Sequence, residues 1–149
     1  MSITVREAKI DDIPILCALE AECFSSPWSE NAFSESMSEE GSIFLLAELG
    51  GEAVGYAGGI CVLDECSVTN VAVGAAYRQK GAGSSLMLAL ESEAYKRGAR
   101  LMFLEVRVSN APAISVYEKL GYEKCGTRRD FYSKPREDAY VYRKELVKQ

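Results

Sequence analysis

Val71-Ala72-Val73-Gly74-Ala75-Ala76-Tyr77-Arg78-Gln79-Lys80-Gly81-Ala82-Gly83-Ser84-Ser85-Leu86 decides the reading of this chain. The stretch begins as a short apolar strand and breaks into a turn that carries Arg78, Lys80, Gly81 and Gly83. It then enters a helix on which Leu86, Leu90 and Ala94 share one stripe. Small residues at such a junction let successive backbone N–H groups point together at an anion seated on the helix N-terminus. A phosphate-bearing ligand is the physical expectation, with an ordinary Gly-rich turn as the plainer alternative. The loop is not a Walker A motif, because Lys80 precedes Gly81 and no Gly-Lys-Ser/Thr follows. Nor is it the dinucleotide G-x-G-x-x-G, because Leu86 stands where the third Gly belongs. Nucleotide hydrolysis and hydride transfer lose their support.

The elements on either side can be read outward from this junction. Ile3 to Ala8 reads as a first strand. Asp11 or Asp12 caps a helix with Pro14 in its first turn, with Ile15, Leu16, Leu19 and Cys23 on one face. Ser29 caps a short second helix carrying Ala32, Phe33 and Met37. Ile43–Leu49 and Glu52–Val62, joined by Gly50-Gly51, read as a hairpin, and Cys66–Val73 as a third neighbouring strand. The long helix after Gly83 stops at Lys96-Arg97-Gly98, and Leu101–Val108 forms a largely apolar strand broken by Glu105 and Arg107. Asn110 caps a helix to Leu120 with Pro112 in its first turn, and Tyr122–Phe131 and Ala139–Leu146 supply two last strands. The order β-α-α-β-β-β-α-β-α-β-β is α/β, a mixed sheet with helices on its faces, and no repeat or linker divides residues 1–149 into more than one domain.

Composition narrows the chemistry. The 149 residues contain no histidine, which removes Ser-His-Asp and Cys-His pairs, the HExxH zinc helix and any imidazole base, and no metal ligand set is expected. Acid–base work falls to carboxylates, Tyr, Lys, Cys or water. Five cysteines without a C-x-x-C pair or a signal-like N-terminus point to a reducing, cytoplasmic setting, and no apolar run is long enough to cross a bilayer. A net charge of −5 argues against nucleic acid as a partner. Residues 1–75 hold 2 Lys/Arg against 13 Asp/Glu, and residues 76–149 hold 15 against 9, so the halves carry −11 and +6. That asymmetry suits a polyanionic cofactor on one half and a cationic substrate on the other, or merely solvated faces.

Val71-Ala72-Val73 followed by Tyr77-Arg78-Gln79-Lys80-Gly81-Ala82-Gly83 and Leu86 resembles the acetyl-CoA signature of the GNAT N-acetyltransferases, Q/R-x-x-G-x-G/A on a strand–loop–helix. The likeness extends to Cys23-Phe24-Ser25-Ser26-Pro27-Trp28-Ser29, Leu104-Glu105-Val106-Arg107-Val108-Ser109-Asn110, Tyr117, Leu120-Gly121-Tyr122 and Arg128-Arg129-Asp130-Phe131-Tyr132. These stretches are similar to the ribosomal-protein-alanine N-acetyltransferases of the RimI type. The resemblance implies acetyl-CoA as acetyl donor and coenzyme A as product. The cofactor residues would be Val71, Ala72, Val73, Arg78, Gln79, Lys80, Gly81, Ala82, Gly83, Ser84, Asn110 and Tyr117. It also implies Glu105 as the base for the attacking amine, Tyr117 as the acid for the departing thiolate, and direct transfer in a ternary complex.

The residues admit other readings beside these. Glu105 shares a strand face with Leu101 and Phe103, where partial desolvation suits a general base, yet it could simply pair with Arg107 or a sheet neighbour. Tyr117 could be a core tyrosine, and Asn110 only a helix cap. Pro27, Trp28 and Tyr132, with the Lys134-Pro135-Arg136 turn, are expected on the acceptor side, where Glu20, Glu22, Glu30 and Glu35 would attract a basic peptide. The implied acceptor is the N-terminal alanine of small-subunit ribosomal protein S18, met by a monomer or weak dimer. The alternatives are transfer to a lysine or small-molecule amine on the same fold, or a non-catalytic CoA-binding protein.

Overall fold

A computed structural model describes residues 2–148. The elements are β1 (Ile3–Glu7), α1 (Ile13–Cys23), α2 (Glu30–Ser38), β2 (Ser42–Leu49), β3 (Glu52–Val62), β4 (Glu65–Val73), α3 (Ala82–Lys96), β5 (Leu101–Arg107), α4 (Ala111–Lys119), β6 (Glu123–Ser133) and β7 (Arg136–Glu145). This is the α/β order expected, laid out as one seven-stranded sheet in the order β1-β2-β3-β4-β5-β7-β6. β1 to β4 form an antiparallel meander, α3 makes the crossover to the parallel strand β5, and β7 inserts between β5 and β6.

Each face of the sheet has its own core. On one side Leu86, Met87, Leu90 and Ala94 of α3 pack on Leu45 and Ala47 of β2, Ala57 of β3, and Met102, Leu104 and Val106 of β5. On the other, Leu16 and Leu19 of α1 and Phe33 of α2 cover Phe44, Leu46, Tyr56 and Ala72. Leu86 and Leu90 are fully buried, so truncating either to Ala should cost about 2–5 kcal/mol through lost burial and the cavity left behind.

Three local expectations are corrected. Ile15 points to solvent, and the buried stripe of α1 is instead Ile13, Leu16, Leu19 and Glu20, because the helix begins one residue after Asp12 and Pro14 fills its first turn. Asp12 does not cap α1 with its side chain; its carboxylate takes Arg6 at 2.9 and 3.0 Å and the Lys9 N–H at 2.7 Å. The last two strands run closer together than their apolar residues suggest, since the pairs Tyr132↔Glu137 and Ser133↔Arg136 reduce the connection to Lys134-Pro135. By contrast Ser29 caps α2, its Oγ accepting the Ala32 N–H at 3.1 Å. No helix among the described residues is long and apolar enough to cross a membrane, and no cluster of three or more potential metal ligands occurs among them.

Candidate active site

The site is made by two strands that part. β4 and β5 pair only at Glu65↔Leu101, Cys66↔Met102 and Ser67↔Phe103. Just beyond, Gly59 faces Val68 and Gly58 faces Asn70, so Thr69 is an extra residue, a β-bulge in β4. The bulge exchanges the faces of the strand. Before it Cys66 and Val68 pack into the α3 core; after it Val71 and Val73 do, and Asn70 and Ala72 turn toward α1 and α2. From Val68 onward β4 has no strand partner on its β5 side. A cleft of about 540 Å³ opens there, between the separated strands, the α1–α2 loop and the β6–β7 turn.

Glu105 and Tyr117 both line this cleft. On β5 Leu104 and Val106 face the α3 core, which leaves Glu105 on the opposite, half-open face with its side chain 27% exposed. That face is less covered than its apolar neighbours Leu101 and Phe103 imply, since both of them are, like Glu105, only partly buried. Glu105 does not pair with Arg107. Its carboxylate is 3.8 Å from Arg128 Nε, whereas Arg107 binds Glu137 at 3.1 Å and the carbonyls of Lys134 (3.2 Å) and Pro135 (2.8 Å). The Arg107 guanidinium also sits 4.3 Å from the Tyr132 ring centroid, so Arg107 fixes the β6–β7 turn at the cleft edge.

Tyr117, on α4, is 9% exposed, and its ring meets Tyr122 edge-on at 6.0 Å. Burial, aided by Tyr132, pushes its phenol up to about 12. The hydroxyl is therefore a proton donor at neutral pH, and it has no hydrogen-bond partner among the described residues. Asn110 is a helix cap, accepting the Ala113 N–H at 3.3 Å, and it lines the cleft as well.

The Gly-rich loop lies past the end of β4, outside the cleft lining. Gln79 and Gly81 adopt positive φ, 64° and 87°, and open space surrounds Gly81, so glycine serves the backbone conformation there and not a close approach. The first helical bond of α3 runs from the Ser85 N–H to Gly81 O at 3.0 Å. The N–H groups of Ala82, Gly83 and Ser84 thus have no helical acceptor, and no side chain caps them. Arg78 reaches back to the Val73 carbonyl at 3.2 Å, which ties the loop to the strand. The expected cofactor residues therefore fall mainly into two groups. Val71, Asn110 and Tyr117 stand in the cleft, and Arg78 to Ser84 stand at the helix start. Of the remaining two, Ala72 is buried in the core under α1 and α2 and Val73 packs on the α3 core at the strand end, and neither lines the cleft. This arrangement fits acetyl-CoA: free amides with Arg78 and Lys80 nearby suit phosphates, and an unpaired strand edge suits an arm that carries amides.

On the other wall, Tyr132 lines the cleft and Phe131 projects beside it, 45% exposed. Ser25 Oγ bonds the Lys134 carbonyl and joins the α1–α2 loop to the β6–β7 turn. Trp28 also reaches the cleft, but most of its ring packs on Phe33 (5.2 Å) and Phe44 (6.5 Å). Pro27 is exposed and does not line the cleft. Glu20 is not a surface attractor for cations. It is 2% exposed and accepts Tyr56 Oη at 2.5 Å and the Trp28 N–H at 3.1 Å. Glu22 is likewise engaged, with the Ala75 N–H at 2.9 Å. Sequence reading missed Asn70 and Tyr56, and it misplaced Glu20. The available signal was a carboxylate one turn after Leu16 on the buried stripe of α1.

Comparison with known proteins agrees with this geometry. The profile of the acetyltransferase (GNAT) family matches residues 13–122. The [ribosomal protein bS18]-alanine N-acetyltransferase of Escherichia coli K12 is 36% identical over 140 residues, covering 93% of this chain and 94% of the relative. A putative [ribosomal protein bS18]-alanine N-acetyltransferase of Bacillus subtilis is 34% identical over 138 residues, covering 92% and 91%. The crystal structure of the Escherichia coli ribosomal-protein-S18-alanine N-acetyltransferase superposes with a TM-score of 0.89 at 32% identity, over 99% of this chain and 96% of that one. With its parted strands, uncapped helix start and near-complete overlap with these relatives, the chain belongs to the GNAT acetyltransferase family, in its RimI type.

Proposed function

We propose that this enzyme transfers the acetyl group of acetyl-CoA to the N-terminal α-amine of a ribosomal protein, the alanine that begins bS18, directly and without an acetyl-enzyme. One observation carries the mechanism: Glu105 and Tyr117 stand on different elements of the same cleft, beside the unpaired edge of β4. Glu105 takes the proton of the attacking amine through a water. An α-amine has a reference pKa near 7.7–8.0 against about 10.4 for lysine, so a half-exposed carboxylate is a sufficient base for it. Tyr117, protonated well above neutral pH, gives its proton to the departing thiolate. A backbone N–H of Val71-Ala72-Val73 is directed at the thioester oxygen as it gains charge.

The α3 amides of Ala82, Gly83 and Ser84, with Arg78, Gln79, Lys80 and Gly81, hold the phosphates, and Asn110 contacts the arm. Trp28 and Tyr132 bound the acceptor, with Pro27 at the rim. A covalent cysteine route is disfavoured, because the chain has no histidine to activate a thiol. The test measures thiol release from acetyl-CoA with two basic peptides. One has a free N-terminal alanine and an uncharged analogue at every lysine; the other is N-blocked with its lysines intact. Turnover on the first alone is expected, and turnover on the second alone would move the acceptor to lysine.

A further inference from the structure

Asn70 stands on β4 immediately after the Thr69 bulge and lines the cleft, yet it is only 8% exposed. Its Nδ2 lies 3.5 Å from both carboxylate oxygens of Glu20. A carboxylate can only accept, so this contact fixes which way the amide faces: the NH₂ turns to Glu20 and the carbonyl oxygen turns away. That oxygen, Asn70 Oδ1, is the one buried side-chain N or O atom among the described residues with no hydrogen-bond partner. A buried carbonyl left unpaired is costly, and such atoms ordinarily have a partner. Glu20 cannot move aside to relieve it, because Tyr56 Oη and the Trp28 N–H hold its two oxygens. The assembly is a fixed acceptor beside a buried carboxylate; Oδ1 itself is shielded from solvent, so a donor entering the cleft reaches it as the lining side chains give way.

We propose that Asn70 Oδ1 binds the α-amine of the acceptor, and that Glu20 is the positioning residue that keeps Oδ1 aimed at it. This rests on the reading of an N-terminal amine as acceptor and adds to it the group that recognises that amine. Asn70 and Glu105 come from the two parted strands and line one cleft. An amine bound between them has one N–H held by Asn70 and another directed to Glu105, which leaves its lone pair for the thioester. The charge of Glu20 polarises the Asn70 amide, so the site favours the strong donor, an amine or ammonium, over a peptide N–H.

The experiment measures binding calorimetrically on the full chain loaded with coenzyme A, which permits no transfer. It uses two peptides that differ only in the first group, an N-terminal alanine or a propionyl group that lacks the amine. Wild type should prefer the alanine peptide. Asn70→Ala should weaken that peptide by about tenfold or more, the scale of a hydrogen bond to a charged group, and leave the propionyl peptide unchanged. Glu20→Gln, which frees the Asn70 amide to turn over while its carbonyl still accepts the Trp28 N–H and its NH₂ donates to Tyr56 Oη, should show the same selective loss. Equal weakening of both peptides would mean a merely structural role and overturn the proposal, as would no change in either. Wild-type turnover on the alanine peptide is measured alongside. Normal turnover without the selective loss overturns this inference alone, whereas no turnover and no binding overturns the acceptor reading with it.

Discussion

Tyr117 and Tyr122 meet edge-on and are both nearly buried, yet their hydroxyls have different surroundings. Tyr122 Oη donates to Glu91 Oε2 at 2.9 Å, and Glu91, itself buried, holds Lys144 through its other oxygen at 2.8 Å. Tyr117 Oη bonds nothing among the described residues, and Tyr117 lines the cleft. Tyr122→Phe removes a hydrogen bond to a buried carboxylate, worth about 2 kcal/mol, which in a chain of this size lowers Tm by roughly 4–8 °C. It should leave kcat within about twofold, since an ordinary ring still fills the same space. Tyr117→Phe removes a hydroxyl without a protein partner, so Tm should move by no more than about 2 °C, while kcat falls by about 100-fold or more as the proton donor is lost. Thermal unfolding by circular dichroism and steady-state thiol release, run on both variants, measure the four quantities. A Tyr117→Phe enzyme that turns over like wild type, or that melts as early as Tyr122→Phe, would refute the assignment.

Glu105→Gln should retain affinity for coenzyme A and lose about 100-fold in kcat near pH 7, and a pH–rate profile should show the deficit narrowing above pH 8, where the α-amine is already free. Arg107→Ala releases the carbonyls of Lys134 and Pro135 and the carboxylate of Glu137, so KM for the peptide should rise about tenfold with KM for acetyl-CoA unchanged. Stability should be lost on both sides of neutrality. Arg6 holds Asp12 down to about 2, and Ser109 with Arg107 lowers Glu137; for such depressed carboxyls the contribution is present above the ordinary carboxylate range and disappears as pH falls toward 2. Burial raises Tyr117 and Tyr142 to about 12, a contribution complete below pH 10 and lost as pH climbs from 10 to 12. Urea midpoints across pH 2–12 should give a plateau with two falling limbs, and Asp12→Asn should flatten the acid one.

Much of this site could be read before the structure because its determinants are local. The turn from Val73 into α3, the caps at Ser29 and Asn110, and the stripe Leu86, Leu90, Ala94 depend on neighbours within one or two helical turns. The placement of Glu105 on an accessible face follows from its alternation with Leu104 and Val106 along one strand. Glu20 was misread for the converse reason. Whether a carboxylate on α1 is solvated depends on Tyr56, 36 positions away, and on Trp28 in the loop that follows the helix.

The order of elements and the anion-ready loop were determined by the amino-acid sequence alone, through backbone periodicity and capping, and Glu105 and Tyr117 were singled out by the family resemblance that the same sequence carries. Tertiary structure alone decided that β7 separates β5 from β6, that Arg107 turns to Glu137 and not Glu105, and that Thr69 bulges out of β4. Strict alternation from Cys66 would send the Asn70 side chain into the α3 core; the extra residue turns it to the opposite face, against Glu20. Such an outcome is set by hydrogen-bond register between strands, in which one unpaired residue reverses every side chain after it. No local pattern encodes that register, because it is chosen by the packing of both faces at once.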